Sequence, residues 1–495
     1  MNKYEKLFTP IRIGNRILKN RIEAAPAALS NLTPEGYFTD QNIATFERKA
    51  KGGPAIVNMG EARIDLKTGI SHKLCLALDD DGVLPSLLMA TDAIKRHNAI
   101  PAVELIHPGG RTNPEYYDGT IWAPSAHKGH LGKDYTELDE ETINYIVERF
   151  GDAAEMAMYG GVEMIMIHGG HGWLIHEFLS PLHNQRTDKF GGSLENRARF
   201  ALMVIENIRK KCPNLIIEFR MSGTEYVEGG LTIEDQVEFA KLIDGKVDLI
   251  HVSSGSFHYP ETNQKMFPNM FMPHGCNVQY AEAIKKVVKT PVATVGGLGD
   301  PDLMEEIIES GKADIVCLAR PLLADAELPN KIRSGHADDI TPCQRCNACI
   351  SESFVPYVKY CSRIIRCTVN PTKLIPPLLD AVDAGTLKFV PAADFLSHLS
   401  EKEQTYLLLV MERDEVSPSL GQAQRLKQLS GEEKLENNII DLIMREEKPL
   451  ERKVTIRNDR LQKYFPASYT PKQMEDVIIK LLEGWHRKRQ QEMSR

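Results

Sequence analysis

Eight short runs rich in apolar and β-branched residues, at 21–25, 55–59, 101–105, 163–167, 216–220, 248–252, 292–295 and 314–318, punctuate the first two thirds of this chain. Between them lie amphipathic stretches of helical period, among them 84–97, 139–159, 194–211, 233–243, 278–288, 301–309 and 321–334. Eight strand-then-helix pairs is the count that closes a parallel barrel. An open doubly wound sheet usually stops at about five to seven strands. The expected architecture is therefore an α/β chain, a (β/α)8 barrel followed by a cysteine-rich segment and a small, mainly helical C-terminal domain.

Polar residues gather where the runs end, which in such a barrel is the face that carries chemistry. Glu104 and His107 follow the third run, His168 and His171 the fourth, and Arg220 ends the fifth. Ser253-Ser254-Gly255 follows the sixth, Gly296-Gly297 the seventh and Ala319-Arg320 the eighth. Glycine backbone N–H groups beside one fixed cation suit a phosphate monoester. His168-Gly169-Gly170-His171 puts two imidazoles on one short loop, and no carboxylate or third histidine stands at a spacing that would make them a metal pair. Both can instead donate hydrogen bonds to one carbonyl oxygen.

Just past the last run, Cys343, Cys346 and Cys349 form C-x2-C-x2-C, with Cys367 further on and Cys361 between. Three thiolates from a tight loop and one from a distance can wrap a single metal centre, either an iron–sulfur cluster or a structural zinc. The nine cysteines are odd in number and concentrated late, which suits ligation in a reducing compartment better than a disulfide framework.

Length and charge bound the remainder. At 495 residues, two or three folding units are expected. Hydrophobic content of 42% and charged content of 26% are those of a globular protein; no apolar run reaches membrane-spanning length, and the first residues do not resemble a signal peptide. A cytoplasmic location is expected. From Lys373 onward twenty basic and twenty acidic side chains balance, so the net charge of −8 falls on residues 1–372, and neither part has the positive excess that nucleic-acid binding requires. Arg487-Lys488-Arg489 reads as a solvated helix end.

Residues 1 to about 371 resemble the Old Yellow Enzyme family of FMN barrels, specifically its iron–sulfur branch. The resemblance is carried by HGGHGWLIHEFLSPLHNQRTDKFGGSLENRARF at 168–200, LFTPIRIGNRILKNRI near the start, TVGGLGDP, and CTVNP at 367–371. It implies that Pro26, Ala27, Ala28 and Gly60 face the flavin ring, that Glu104 stands where many relatives carry a glutamine for the pyrimidine edge, and that Arg220 sits at the N1–C2=O locus. It implies that Gly296, Gly297, Ala319 and Arg320 hold the phosphate, that His168 and His171 polarise a substrate carbonyl or a nicotinamide, and that Cys343, Cys346, Cys349 and Cys367 bind a [4Fe–4S] cluster. Reduced nicotinamide, NAD(P)H, or the iron–sulfur cluster would be the electron source, via FMN, for reduction of an α,β-unsaturated carbonyl compound of the enoate or dienoyl type. A separate electron-donor protein and a homo-oligomer are further expectations.

Two departures stand out. Where many reductases of the family place a proton-donating tyrosine, two residues after the second histidine, this chain has Trp173, and an indole is no general acid. The gap between Cys349 and Cys367 is longer than the family's habit, which keeps Cys361 in contention as the fourth ligand.

The implied division is an FMN barrel at 1–338, an iron–sulfur segment at 339–371 and a helical part at 372–495. The last carries a capping box at Ser400-Glu401-Lys402-Glu403, helix starts at Ser417-Pro418 and Thr470-Pro471, and a possible strand at 453–457. It resembles the C-terminal part of ParB-like partition proteins through LIPPLLDAVDAGTLKF, SPSLGQAQRLKQLS and FPASYTPKQMEDVIIKLLEGWHRKRQ. The nucleotide motifs and recognition helix of such proteins are missing, so DNA binding is not expected. Beside the oxidoreductase reading stand two others: a fused product with impaired turnover, and a DNA-partition accessory.

Overall fold

The computed structural model describes residues 3–27, 32–72, 74–127, 134–347, 349, 350, 367, 369 and 370. The chain divides into two units, Met1–Asn347 and Ala348–Arg495. The first is the barrel. The tail's capping box, helix starts and strand, together with Ala28 and Cys361, lie outside the described residues.

All eight expected strands form, as β1 (Ile22–Ala24), β2 (Ile56–Arg63), β3 (Ile100–Ile106), β4 (Met164–Gly169), β5 (Ile216–Ser222), β6 (Leu249–Ser253), β7 (Val292–Val295) and β8 (Ile315–Leu318). Each pairs in parallel with its sequence neighbours, and β8 pairs with β1 through Val316↔Ile22 to close the ring. Leu76–Ala77 adds a short strand beside the end of β2. β2 carries a register shift between Asn58 and Glu61, where Gly60 takes φ +102°, a conformation open to glycine at little cost.

The helices between them are α1 (Asp40–Lys51), α2 (Leu84–Lys95), α3 (Glu140–Tyr159), α4 (Leu174–Leu179), α5 (Leu194–Lys211), α6 (Ile233–Ile243), α7 (Val278–Lys285), α8 (Pro301–Glu309), α9 (Arg320–Ala324) and α10 (Leu328–Arg333). Their starts are written locally. Asp139 accepts from Thr142 N at 2.7 Å, Thr232 and Asp235 form a reciprocal cap, and Asp300 accepts from Leu303 N ahead of Pro301. Three expectations are corrected. The stretch 321–334 is two helices, because Asp325 is extended and Pro329 opens the second. The stretches 84–97 and 278–288 end early, at Lys95 and Lys285. The sequence reading also passed over α1, whose start Thr39 caps with Asn42.

Two apolar layers hold the barrel. Phe46, Phe150, Phe178, Phe200, Phe219 and Phe239 are buried in the layer shared by strands and helices; full burial of such a side chain is worth roughly 1.5–3 kcal/mol. A second cluster joins Ile56, Ala102, Met164, Ile216, Leu249, Ala293 and Ile315 to Ile13 and Leu18 of the hairpin Ile11–Ile13/Arg16–Leu18. That hairpin floors the barrel at the strands' N-terminal ends, leaving the opposite rim for polar groups.

Candidate active site

The loop after β4 is braced from beneath. Within α4, His176 Nε2 lies 2.9 Å from Glu225 Oε1, and Glu225 Oε2 accepts from Ser180 Oγ and Leu231 N at 2.7 Å each. Burial alone would raise the Glu225 carboxyl, but the His176 pairing and the Leu231 N–H outweigh it and hold it down at about 2. Glu177 accepts from Gly110 N at 3.0 Å and meets His258 Nε2 at 2.9 Å. Here burial dominates and pushes the carboxyl up to about 7. Glu177, Glu225 and His258 are site-supporting residues that the sequence reading did not single out; EFLS and GTE give no spacing that ties them together.

On that platform the two histidines meet, with ring centroids 5.0 Å apart and planes at 78°. His171 has φ +59°, which costs a residue with a Cβ roughly 1–2 kcal/mol, and Ser222 Oγ holds it there by accepting from its N–H at 3.0 Å. His171 Nε2 lies 2.8 Å from Ser253 Oγ. His168 Nδ1 accepts from Gly170 N at 3.3 Å, which fixes the proton on Nε2 when the ring is neutral. Burial, reinforced by the Arg220 charge, drives both imidazoles well below their usual pKa, so each is neutral at pH 7 and donates through one nitrogen.

Arg220 Nη1 donates to Glu104 Oε1 at 2.8 Å, and His168 Nε2 lies 3.7 Å from the same oxygen. Arg220 Nε is buried with no partner. Trp173 is buried, with its ring centroid 5.9 Å from His168 and 5.6 Å from Phe257, and its Nε1 has no partner either. Asn58 Oδ1 accepts from Gly60 N at 3.1 Å at the bulge of β2. Pro26 and Ala27 follow β1 at the same rim.

Gly296 and Gly297, at φ +124° and +65°, turn the chain after β7, and Gly275 N donates to Gly297 O at 3.2 Å. After β8, Ala319 precedes α9 and Arg320 opens it. Arg320 Nη1 donates to Pro268 O at 2.9 Å and to Asn347 Oδ1. Asn347 Nδ2 donates to Phe267 O at 2.9 Å, and Arg345 Nη1 to Met272 O at 2.8 Å. The sequence reading missed these two residues; each takes positive φ in the cysteine loop and ties it to the 267–273 loop, and Asn347 ties it also to Arg320 of α9. Cys343 Sγ accepts from Arg345 N at 3.4 Å. Cys343 and Cys346 belong to the barrel unit, Cys349 and Cys367 to the second.

Among the described residues no helix is long and apolar enough to cross a membrane. The sequence profile of the NADH:flavin oxidoreductase / NADH oxidase family matches residues 6–339. A NADH oxidase of Thermoanaerobacter brockii is 35% identical over 379 residues, covering 75% of this chain and 56% of that protein. A NADPH dehydrogenase of Bacillus subtilis (strain 168) is 33% identical over 323 residues, 65% of this chain and 92% of that one. Among solved structures, histamine dehydrogenase from Rhizobium sp. 4-9 matches with a TM-score of 0.68 at 30% identity, over 75% of this chain and 53% of its own. The chain thus spans about half the length of the longer relatives. The profile match ends before residues 373–495, whose partition-protein resemblance is carried by the quoted stretches alone.

Proposed function

The chain belongs to the NADH:flavin oxidoreductase / NADH oxidase family, an FMN-dependent oxidoreductase family, and from that premise we propose that it passes reducing equivalents from NAD(P)H to an α,β-unsaturated carbonyl compound of the enoate or dienoyl type. The observation that carries this reading is the neutral His168/His171 pair beside the Arg220–Glu104 contact on one rim. When bound, FMN supplies the hydride chemistry.

The chain's own residues supply position and field. Arg220, with a buried Nε lacking any protein partner, fits an electron-rich heterocycle edge, and Glu104 orients the guanidinium toward it. Pro26, Ala27, Ala28 and Gly60 would flank the ring, while Gly296, Gly297, Ala319 and Arg320 would hold the phosphate. His168 Nε2–H and His171 would donate to the substrate carbonyl and stabilise the enolate charge that develops as the β-carbon is reduced. Trp173 stands beside His168 and cannot act as a general acid, so the α-carbon proton comes from another group or from solvent. Cys343, Cys346, Cys349 and Cys367 would hold a [4Fe–4S] cluster, and the Arg345 N–H on Cys343 Sγ suits a thiolate ligand. The barrel 1–338, the cysteine segment 339–371 and the remainder 372–495 are the working division.

The test is anaerobic reduction of the flavin by NADH or NADPH, followed by reoxidation with an enoate. Reoxidation should slow on the order of 10²–10³-fold for each histidine replaced by alanine, the usual loss for one preorganised donor. A double alanine variant reoxidised as fast as wild type would sink the reading.

A further inference from the structure

Inside the barrel, between the apolar floor and the polar rim, four side chains interrupt the filling that such lumens normally have. Glu23 on β1, Glu218 on β5, His251 on β6 and Cys317 on β8 are each 1% exposed or less. β1 and β5 are diametrically opposed in a ring of eight, yet the carboxyls of Glu23 and Glu218 come within hydrogen-bonding reach of each other. The cluster therefore spans the lumen.

Its ligand atoms converge. Glu23 Oε2 lies 3.2 Å from Cys317 Sγ, Cys317 Sγ 3.8 Å from His251 Nδ1, and His251 Nδ1 3.8 Å from Glu23 Oε2. Glu218 Oε1 stands 2.8 Å from the same nitrogen. Tetrahedral zinc with bonds of about 2.0–2.3 Å separates its ligands by about 3.3–3.7 Å, so the first three distances already bracket a coordination edge. Glu218 stands beside this triangle, bonded to His251 rather than converging with all three atoms.

The protein alone leaves this cluster unsatisfied. Glu23 Oε1, Glu218 Oε2 and His251 Nε2 are buried without a partner. Glu23, Glu104 and Glu218 place three carboxyls in the core, and the guanidinium among their charged neighbours, Arg220, is engaged by Glu104. Burial raises both the Glu23 and the Glu218 carboxyls, and a divalent cation would displace the protons they hold. A mixed thiolate, imidazole and carboxylate set favours zinc over magnesium or calcium, which prefer oxygen alone.

We propose that the barrel lumen is a structural zinc site, with Glu23, His251 and Cys317 as ligands and a water completing the shell. The ion enters as the strands close, since the lumen is sealed below by the hairpin; binding releases the Cys317 thiol proton to solvent, while the His251 proton moves from Nδ1 to Nε2. It ties β1, β6 and β8 together. The site is independent of the flavin and of the cysteine loop.

The experiment uses the full-length protein purified without chelator from zinc-replete cells. Elemental analysis should give about one zinc per chain, and the zinc K-edge absorption spectrum should show one sulfur at about 2.3 Å with nitrogen or oxygen at about 2.0–2.1 Å. Zinc should persist in Cys346→Ser and disappear from Cys317→Ala. A folded wild-type protein without zinc overturns the proposal, as does a shell of four sulfurs, which would put the metal in the cysteine loop. Should Cys317→Ala fail to fold, the wild-type scattering shell still decides.

Discussion

Arg220 and Glu104 form the charged contact at the heart of the rim, 2.8 Å apart, between strands β5 and β3 that are not neighbours in the ring. Strand β4 lies between them, and His168 at its end faces the same carboxylate oxygen. The pair therefore orients a cation from one strand with an anion from another, over the histidine that would meet substrate.

This makes the two partners unequal to mutation. Arg220→Met strands the Glu104 carboxylate in a buried site, and breaking such a pair costs about 3–5 kcal/mol. Glu104→Gln in the same chain should restore much of that stability. Urea unfolding of the two single variants and the double variant gives the cycle, and a double variant no more stable than Arg220→Met alone would contradict the pairing. Flavin reduction should stay impaired in both Arg220 variants, because in the proposed site it is the guanidinium that would face the heterocycle.

The phosphate assignment predicts a separate phenotype. Arg320→Ala should keep its far-ultraviolet circular dichroism yet bind FMN more weakly by tenfold or more, since a charge-assisted hydrogen bond contributes about 1.5–3 kcal/mol. Equilibrium dialysis of flavin reads this directly. Undiminished FMN occupancy would remove Arg320 from the site.

For the cysteines, Cys346→Ser should abolish the broad iron–sulfur absorbance of anaerobically purified protein. Cys361→Ser should leave it, with Cys367 as the fourth ligand. Loss of the cluster in Cys361→Ser would reverse that choice.

Glu177 predicts a pH dependence. Its folded pKa of about 7 lies above the ordinary 4.5, so the carboxyl's contribution to stability is complete below about pH 4.5 and is lost as pH rises through 7. Between those limits the loss is on the order of 3 kcal/mol. Glu177→Gln should flatten the stability profile of the wild type by that amount; parallel profiles across pH 4.5–7 would place the titration elsewhere.

The barrel was legible because each strand is a compact apolar run, and the rim because His168, His171, Arg220 and Arg320 sit where the runs stop. The lumen cluster was not. In a strand buried on both faces, apolar residues occupy both phases, so a single Glu in IIEFR or His in LIHVS carries no alternation to flag it. Nor does the sequence say that Glu23 and Glu218 meet; only closure of the ring brings β1 opposite β5. The histidine spacing was legible too, but not which nitrogen of each ring remains to donate, since that follows from Gly170 N and Ser253 Oγ. The Arg345 and Asn347 contacts depend on loop conformations at positive φ, for which Arg gives no local sign and Asn only a weak one.

The floor hairpin has a consequence for how the chain is made. Ile13 and Leu18 leave the ribosome long before Ile315 and Cys317, yet they pack against them, and Leu7 N bonds to Glu305 across 298 residues. At synthesis rates of about 5–20 residues per second, that apolar hairpin waits roughly 15–60 s for its last partner. Through that interval the nascent protein shows an apolar hairpin face with nothing packed on it. A chain stalled before β8 would keep it permanently, making truncated translation products natural clients for holdase chaperones or proteases.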